Sequence, residues 1–115
     1  MSIHRGGVYW IRRDETDEAE IVHPHVVVGD IAIDESGNET IMVCGISTNM
    51  KKAYAIGNVV LSKGEAGLPK KSVVVVSQLS TVPTRNVGEY VGTMSRERIE
   101  EILQGLRQIG NLSRK

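Results

Sequence analysis

Short apolar runs broken by polar turns fill the first ninety residues, and the spacing of apolar positions changes only near the C-terminus. Val8 to Ile11, after Gly6-Gly7, predicts an opening strand. Ile21 to Val28 predicts a second, with Pro24 marking its early part as an edge or a strand entry. Between them, five acids in the seven residues Asp14 to Glu20 predict a solvated loop. Asp34-Glu35-Ser36-Gly37-Asn38-Glu39 is the strongest turn signal. Ile41 to Ile46 shows little polar alternation, which predicts a strand buried on both faces. Asn58 to Leu61 is a shorter strand, Gly64 to Pro69 a loop, Val73 to Val76 a central strand and Glu89 to Gly92 a last short one.

Ile99, Ile102, Leu103 and Leu106 then fall at i, i+3, i+4 and i+7, the spacing of one helix face. Ser95 suits the N-cap, Glu97 favours the first turn, and Gly110 suits the residue that ends the helix. Gly105 inside it costs about 1 kcal/mol relative to alanine. Residues 111–115 read as a frayed tail. Five or six short strands and one helix predict a mainly β protein with some α, a partly open barrel or strongly bent sheet with the helix on one side. The inter-strand segments are too short for parallel crossovers.

With 115 residues the chain has material for a single domain spanning 1–115. Lys+Arg 14 balances Asp+Glu 14, which argues against holding nucleic acid by bulk charge while leaving room for a local basic groove. Phe is absent, and the one Trp and three Tyr are too few for an aromatic base-stacking platform as the main binding mode. Cys44 is the only cysteine, so neither an intrachain disulfide nor a cysteine-based zinc site is possible, and its apolar surroundings predict a buried hydrophobe. Met1 to Gly7 lacks the apolar stretch of a signal peptide, and no run approaches the roughly 18 residues of a membrane span, which predicts a soluble, cytoplasmic protein.

Three polar clusters lie where strands are predicted to end. In His23-Pro24-His25 both imidazoles belong to one face of an extended segment, and histidine suits proton transfer at neutral pH. The plainer reading is two surface or hydrogen-bonded histidines, and a metal pair lacks third and fourth ligands. The hydroxyls of Ser47-Thr48 can hold a phosphate oxygen or cap a turn. In Ser77-Gln78-Leu79-Ser80-Thr81 the glutamine can pin neighbouring backbone or present its amide to a ligand. Lys51-Lys52 and Lys70-Lys71 are paired cations on predicted loops, solvated or phosphate-holding. There is no Walker loop, Rossmann fingerprint, H-E-x-x-H or G-x-S-x-G.

Arg5-Gly6-Gly7-Val8-Tyr9, His23 to Val28, Cys44 to Thr48, Gly67 to Val74 and Ser77 to Val82, taken in this order, resemble the segments of the MazF/PemK toxins. Arg5-Gly6-Gly7-Val8-Tyr9 is similar to their Arg-Gly-Asp-Val-Tyr, and His23-Pro24-His25-Val26-Val27-Val28 to their Arg-Pro-Val-Val-Val. Cys44 to Thr48 is similar to their Ile-Thr-Ser segment, Gly67 to Val74 to Gly-Leu-Lys-Lys-Asp-Ser-Val-Val, and Ser77 to Val82 to Glu-Gln-Ile-Arg-Thr-Ile. Gly92-Thr93-Met94-Ser95 then leads into a helix. The resemblance implies an SH3-like, partly open barrel of short antiparallel strands with a C-terminal helix, a homodimer and a cognate antitoxin partner. It implies cleavage of single-stranded RNA without metal or other cofactor, through the ribose 2′-hydroxyl. His23 takes the position of the catalytic arginine, with Ser47, Thr48 and Gln78 completing the catalytic set and Arg5, His25, Lys51, Lys52 and Ser80 binding RNA. Four positions depart from the family pattern: His23 replaces the arginine, Gly7 aspartate, Ser77 glutamate and Ser80 arginine. The alternative is a non-catalytic member of the family that binds protein partners on the same barrel.

Overall fold

The computed structural model describes residues 3–12 and 23–113. The acidic segment Asp14 to Glu20, and Ile21 and Val22 of the second predicted strand, lie outside the described residues. Seven strands are present among the described residues: β1 (Gly7–Ile11), β2 (His23–Val27), β3 (Ala32–Ile33), β4 (Glu39–Ser47), β5 (Val59–Leu61), β6 (Ser72–Pro83) and β7 (Val87–Thr93). They form one antiparallel sheet in the order β5-β6-β4-β2-β1-β7, with β3 paired to β4, and the sheet stays open between β5 and β7. The C-terminal helix α1 (Arg96–Ser113) packs on one face.

Two apolar clusters explain why the strands read as runs rather than as alternations. Val8, Val26, Cys44, Ile46, Val74 and Val76 face α1, where Ile102 is buried and Ile99, Leu106 and Ile109 pack around it. Tyr9, Ile11, Val27, Ile41 and Val43 point the other way into a second cluster closed by Ile3, Val82 and Val87. Neighbouring residues of one strand thus serve different cores. Met42, exposed at 42%, is the exception in the run expected to be buried on both faces.

β6 is longer than its valine run suggests. The segment Ser77 to Thr81, expected to follow the strand, continues it. Cys44 pairs with Leu79 but the next residue, Gly45, pairs with Val75, so residues 76–78 form a bulge. An insertion of odd length swaps faces. Val74 and Val76 point at the helix, whereas Val82 points at the second cluster, and Gln78 lies on the face of Val82. Asn58 anchors the bulge: its Oδ1 accepts from the Val76 amide at 3.0 Å and its Nδ2 donates to the Lys52 carbonyl at 2.8 Å.

β3 was not evident from the sequence, being two residues long and exposed on both. The hairpin that carries it is the turn expected at Asp34, whose Oδ1 accepts from the Ser36 and Asn38 amides at 2.9 Å each. α1 starts where expected, with Ser95 Oγ accepting from the Arg98 amide at 3.2 Å. It does not stop at Gly110 but runs on to Ser113. Nothing lies within 4 Å of where a Gly110 side chain would be, and its φ is not positive, so no left-handed cap forms there.

Gly105, costly by propensity, has a packing reason. Its Cα side faces the Gly57 backbone, and a Cβ there would overlap the Gly57 carbonyl. Gly57 itself has φ +88, and a Cβ on it would meet the Gly105 carbonyl at 2.8 Å. Gly105→Ala is therefore expected to destabilise by about 1–3 kcal/mol despite better propensity, as overpacking does. Gly110→Ala, facing open space, is expected to stabilise by up to about 1 kcal/mol. Urea melts of both variants check the opposite signs.

The other tie from α1 to the sheet's loops is ionic. Arg98 Nε and Nη2 donate to Glu65 at 2.6 and 3.1 Å, and both side chains are mostly buried. Arg98 holds the Glu65 carboxyl below the usual glutamate range, and the Ser62 amide adds to this against the opposing effect of burial. A carboxyl depressed in the folded state contributes stability above its unfolded pKa, and that contribution is lost as pH falls through the folded value. Glu65→Gln is expected to flatten the loss of stability below about pH 4.3, the ordinary glutamate value, read from melts across pH.

Candidate functional site

The site forms where β2 parts from β4. Their last pair at this end is His25 with Gly45. Pro24, next along, has no N–H to give to a ladder, so pairing stops. The proline is tolerated inside an interior strand because it lies past the last β4 contact, and only β1 runs beside it. His23 and Ser47 each lie two residues past that pair, on its sheet face. β4 persists to Ser47 because β6 holds it there through Val73.

Three adjacent strands, β2, β4 and β6, thus present His23, Ser47 and Gln78 on the sheet face of the second cluster. Gln78 reaches this face only through the bulge. Its side chain lies over Gly45, where any Cβ would overlap Gln78 Oε1. Gly45 is therefore part of the site, as the residue whose missing side chain admits the amide. Asn58, which fixes the bulge, also supports the site. Sequence reading missed both: a glycine inside an apolar run and an asparagine at a strand entry carry no signal of their own.

The two histidines differ. His23 is exposed, whereas His25 is 2% exposed with Nδ1 2.9 Å from the His23 carbonyl. A carbonyl only accepts, so Nδ1 carries the proton. His25 is flanked in register by Tyr9 on β1 and Gly45 on β4. The expectation that both imidazoles are presented to RNA is corrected, because His25 is packed inside the sheet.

Ser47 is half-buried and its Oγ accepts from the Asn49 amide at 3.0 Å, while Asn49 Oδ1 accepts from the Lys51 amide at 3.1 Å. The hydroxyl therefore shapes the turn, and its own proton is not used in that bond. Thr48 is exposed beside it. The 3₁₀ turn Met50–Tyr54 follows, carrying Lys51 exposed and Lys52 half-buried. Ser80 lies on the Gln78 face, opposite Val43 and half-buried. Arg5 is not brought to the site. It pairs with Asp30 at 3.8 Å beside the Val27 end of β2, a strand length of about 13 Å from His23 at ~3.3 Å per residue.

Cys44 faces the helix cluster, where burial pushes its thiol up to about 12, far from a nucleophile's range. Among the described residues no group of three or more His, Cys, Asp or Glu could hold a metal ion, and no helix is long and apolar enough to cross a membrane. A second polar cluster lies toward the other end of β1, where Gly7 pairs with Thr93. Tyr9 OH lies 3.5 Å from His4 Nδ1, His4 Nε2 lies 3.2 Å from Thr93 Oγ1, and the Tyr90 hydroxyl bonds the same Thr93 oxygen. Burial pushes the Tyr9 phenol above its ordinary value. Gly7 leaves room for this ring, since a Cβ there would sit 2.7 Å from Tyr9 Cε1. Residues 4, 9, 90 and 93 are too far apart in the chain for any motif to show the cluster.

Comparison with known proteins agrees with this architecture. The Mycobacterium bovis protein named endoribonuclease MazF2 is 26% identical over 114 residues, covering 97% of this chain and all of the relative. The Mycobacterium tuberculosis protein named endoribonuclease MazF6 shows the same identity and coverage. The solved structure of the M. tuberculosis toxin MazF-mt6 superposes with a TM-score of 0.71 at 15% identity, covering 91% of this chain and 96% of that one. A mycobacterial endoribonuclease in complex with its cognate antitoxin superposes with a TM-score of 0.67 at 16% identity, covering 94% of each chain. These superpositions share the open antiparallel sheet with its C-terminal helix. The family profile of PemK-like, MazF-like toxins matches residues 4–110, nearly the whole chain, and on that match the chain belongs to the PemK/MazF toxin family of type II toxin–antitoxin systems.

Proposed function

We propose that the chain cleaves single-stranded RNA as the toxin of a toxin–antitoxin pair. The observation that carries this reading is that His23, Ser47 and Gln78 fall on one sheet face of the neighbouring strands β2, β4 and β6, just past the last β2–β4 pair, His25 with Gly45. A relative named as an endoribonuclease over its full length supports it. In the proposed reaction His23 accepts the ribose 2′-hydroxyl proton as the 2′-oxygen attacks phosphorus. The P–O5′ bond breaks, and the protonated imidazole returns a proton to the departing 5′-oxygen. The products are a 2′,3′-cyclic phosphate and a 5′-hydroxyl. The hydroxyls of Ser47 and Thr48 and the Gln78 amide donate to the non-bridging oxygens, and Lys51 and Lys52 offset their charge. DNA, lacking the 2′-hydroxyl, is no substrate. Arg5 and the buried His25 make no direct contact with RNA in this scheme, and Ser80 lies at its margin.

His23→Ala is expected to slow cleavage by roughly 10²-fold or more, the scale for losing a general acid or base, while EDTA leaves the rate unchanged. A time course on a long single-stranded transcript, with mapping of product ends, measures both. Wild-type rates in His23→Ala overturn the assignment. An inert wild type that gains cleavage in His23→Arg instead makes this chain a non-catalytic member of the family.

The proposed toxin works in the cytoplasm as a homodimer, restrained by an antitoxin that lays an extended or helical acidic segment over His23, Ser47 and Gln78. In support of a dimer, Ile31, Ile33, Met42 and Leu79 are exposed at 45%, 63%, 42% and 43%, an apolar surface that favours a partner. Light scattering is expected to give twice the chain mass. A concentration-independent mass of 12.6 kDa refutes the dimer.

A further inference from the structure

The backbone that carries His23 is held in an unusual way. At His23 the β4 ladder has ended, so pairing on that side no longer fixes the chain. Pro24 sets its own φ near −65° and restricts His23 to extended ψ. On the other side Ile11 and Trp10 of β1 still pair with His23 and Pro24, so the His23–Pro24 peptide is held from one side only. That peptide's carbonyl accepts from His25 Nδ1 at 2.9 Å, two residues along the same strand. The ring that donates is 2% exposed, set in register between Tyr9, itself 1% exposed, and Gly45, over which Gln78 lies. Its place is fixed by packing, so the bond adds the rigidity of the sheet interior to the end of β2, which only β1 still flanks.

We propose that His25 is a positioning residue, whose buried Nδ1–H holds the His23 carbonyl and so fixes the backbone from which the His23 ring reaches the phosphate at Ser47. The proposal rests on the reading of His23 given above. It assigns His25 neither contact with RNA nor a proton to transfer. Its effect falls on turnover, because a small misplacement of a reacting group slows the chemical step while leaving the substrate-binding groups in place.

The test uses side chains that differ in where they carry a donor. Asparagine puts its amide nitrogen close to the position of Nδ1, glutamine close to that of Nε2, and leucine offers no donor. The expected result is that His25→Asn keeps kcat within about 3-fold of wild type. His25→Gln and His25→Leu lower it about 10- to 100-fold with KM nearly unchanged, measured on the same single-stranded transcript with folding checked by circular dichroism. The Asn and Gln variants suffice if the Leu variant does not fold. Equal kcat for Asn and Gln, or a loss confined to KM, overturns the proposal. His23→Ala run alongside separates the two failures. If it abolishes cleavage while His25→Gln cleaves like wild type, only the positioning role is wrong. If His23→Ala cleaves like wild type, the assignment of His23 fails and the role of His25 falls with it.

Discussion

The register of β6 on β4 is the constraint on which the rest of the structure depends. These two strands pair from Thr40 with Pro83 to Ser47 with Val73, the longest ladder in the sheet. A sheet with one helix and no phenylalanine has to bury both faces to make a core, and β6 does so by changing face partway along. Its first half gives Val74 and Val76 to the helix side, and its second half gives Val82 to the other. The bulge at residues 76–78 makes the change possible, and a bulge interrupts ladder hydrogen bonds. Asn58 answers that loss at the Val76 amide, so one asparagine side chain stands where a strand neighbour's carbonyl otherwise would.

The site follows from the same register. The face change that serves packing also sets Gln78 on the side of His23 and Ser47. Gly45, the residue on which the β4 ladder shifts, leaves the space the glutamine occupies. On the next strand, proline ends pairing and exposes His23, while His25, two residues on, is still inside the sheet. The polar side chains therefore fall where two ladders of different length meet, on strands that are paired just behind them. The helix contributes nothing directly to this site. It closes the opposite face, brought close by the Gly57 and Gly105 contact and tied by Arg98 to Glu65.

Much of this was legible in the chain. The apolar runs marked β1, β4, β5, β6 and β7, and the period of Ile99, Ile102 and Leu106 marked the helix and the face it buries. Ser95 and Asp34 signalled local structure that they form through their own side chains, which is why such signals survive without tertiary information. Cys44 was readable as a core residue from its neighbours. The ends of elements were less legible. β6 continues through Ser77 to Thr81 because β4 lies beside it, and the helix passes Gly110 because no left-handed turn is formed there.

The sequence by itself determined which segments pair as strands, which one coils, and the residue types available for chemistry, since each of these is written in local period and side-chain character. Only the tertiary structure decided which of those residues share a face. His23, Ser47 and Gln78 sit on three strands, and their sharing one sheet face depends on two registers and a bulge of odd length, none of which is encoded within any one segment. It also decided that His25 is buried while His23 is not, although the two are separated by a single proline. It put Arg5 at the far end of β2 with Asp30, because an antiparallel neighbour brings the start of one strand to the end of the next. Period-2 alternation tells which residues share a face of one strand. Which faces of different strands coincide is fixed by hydrogen bonds between strands distant in sequence, and those exist only in the folded chain.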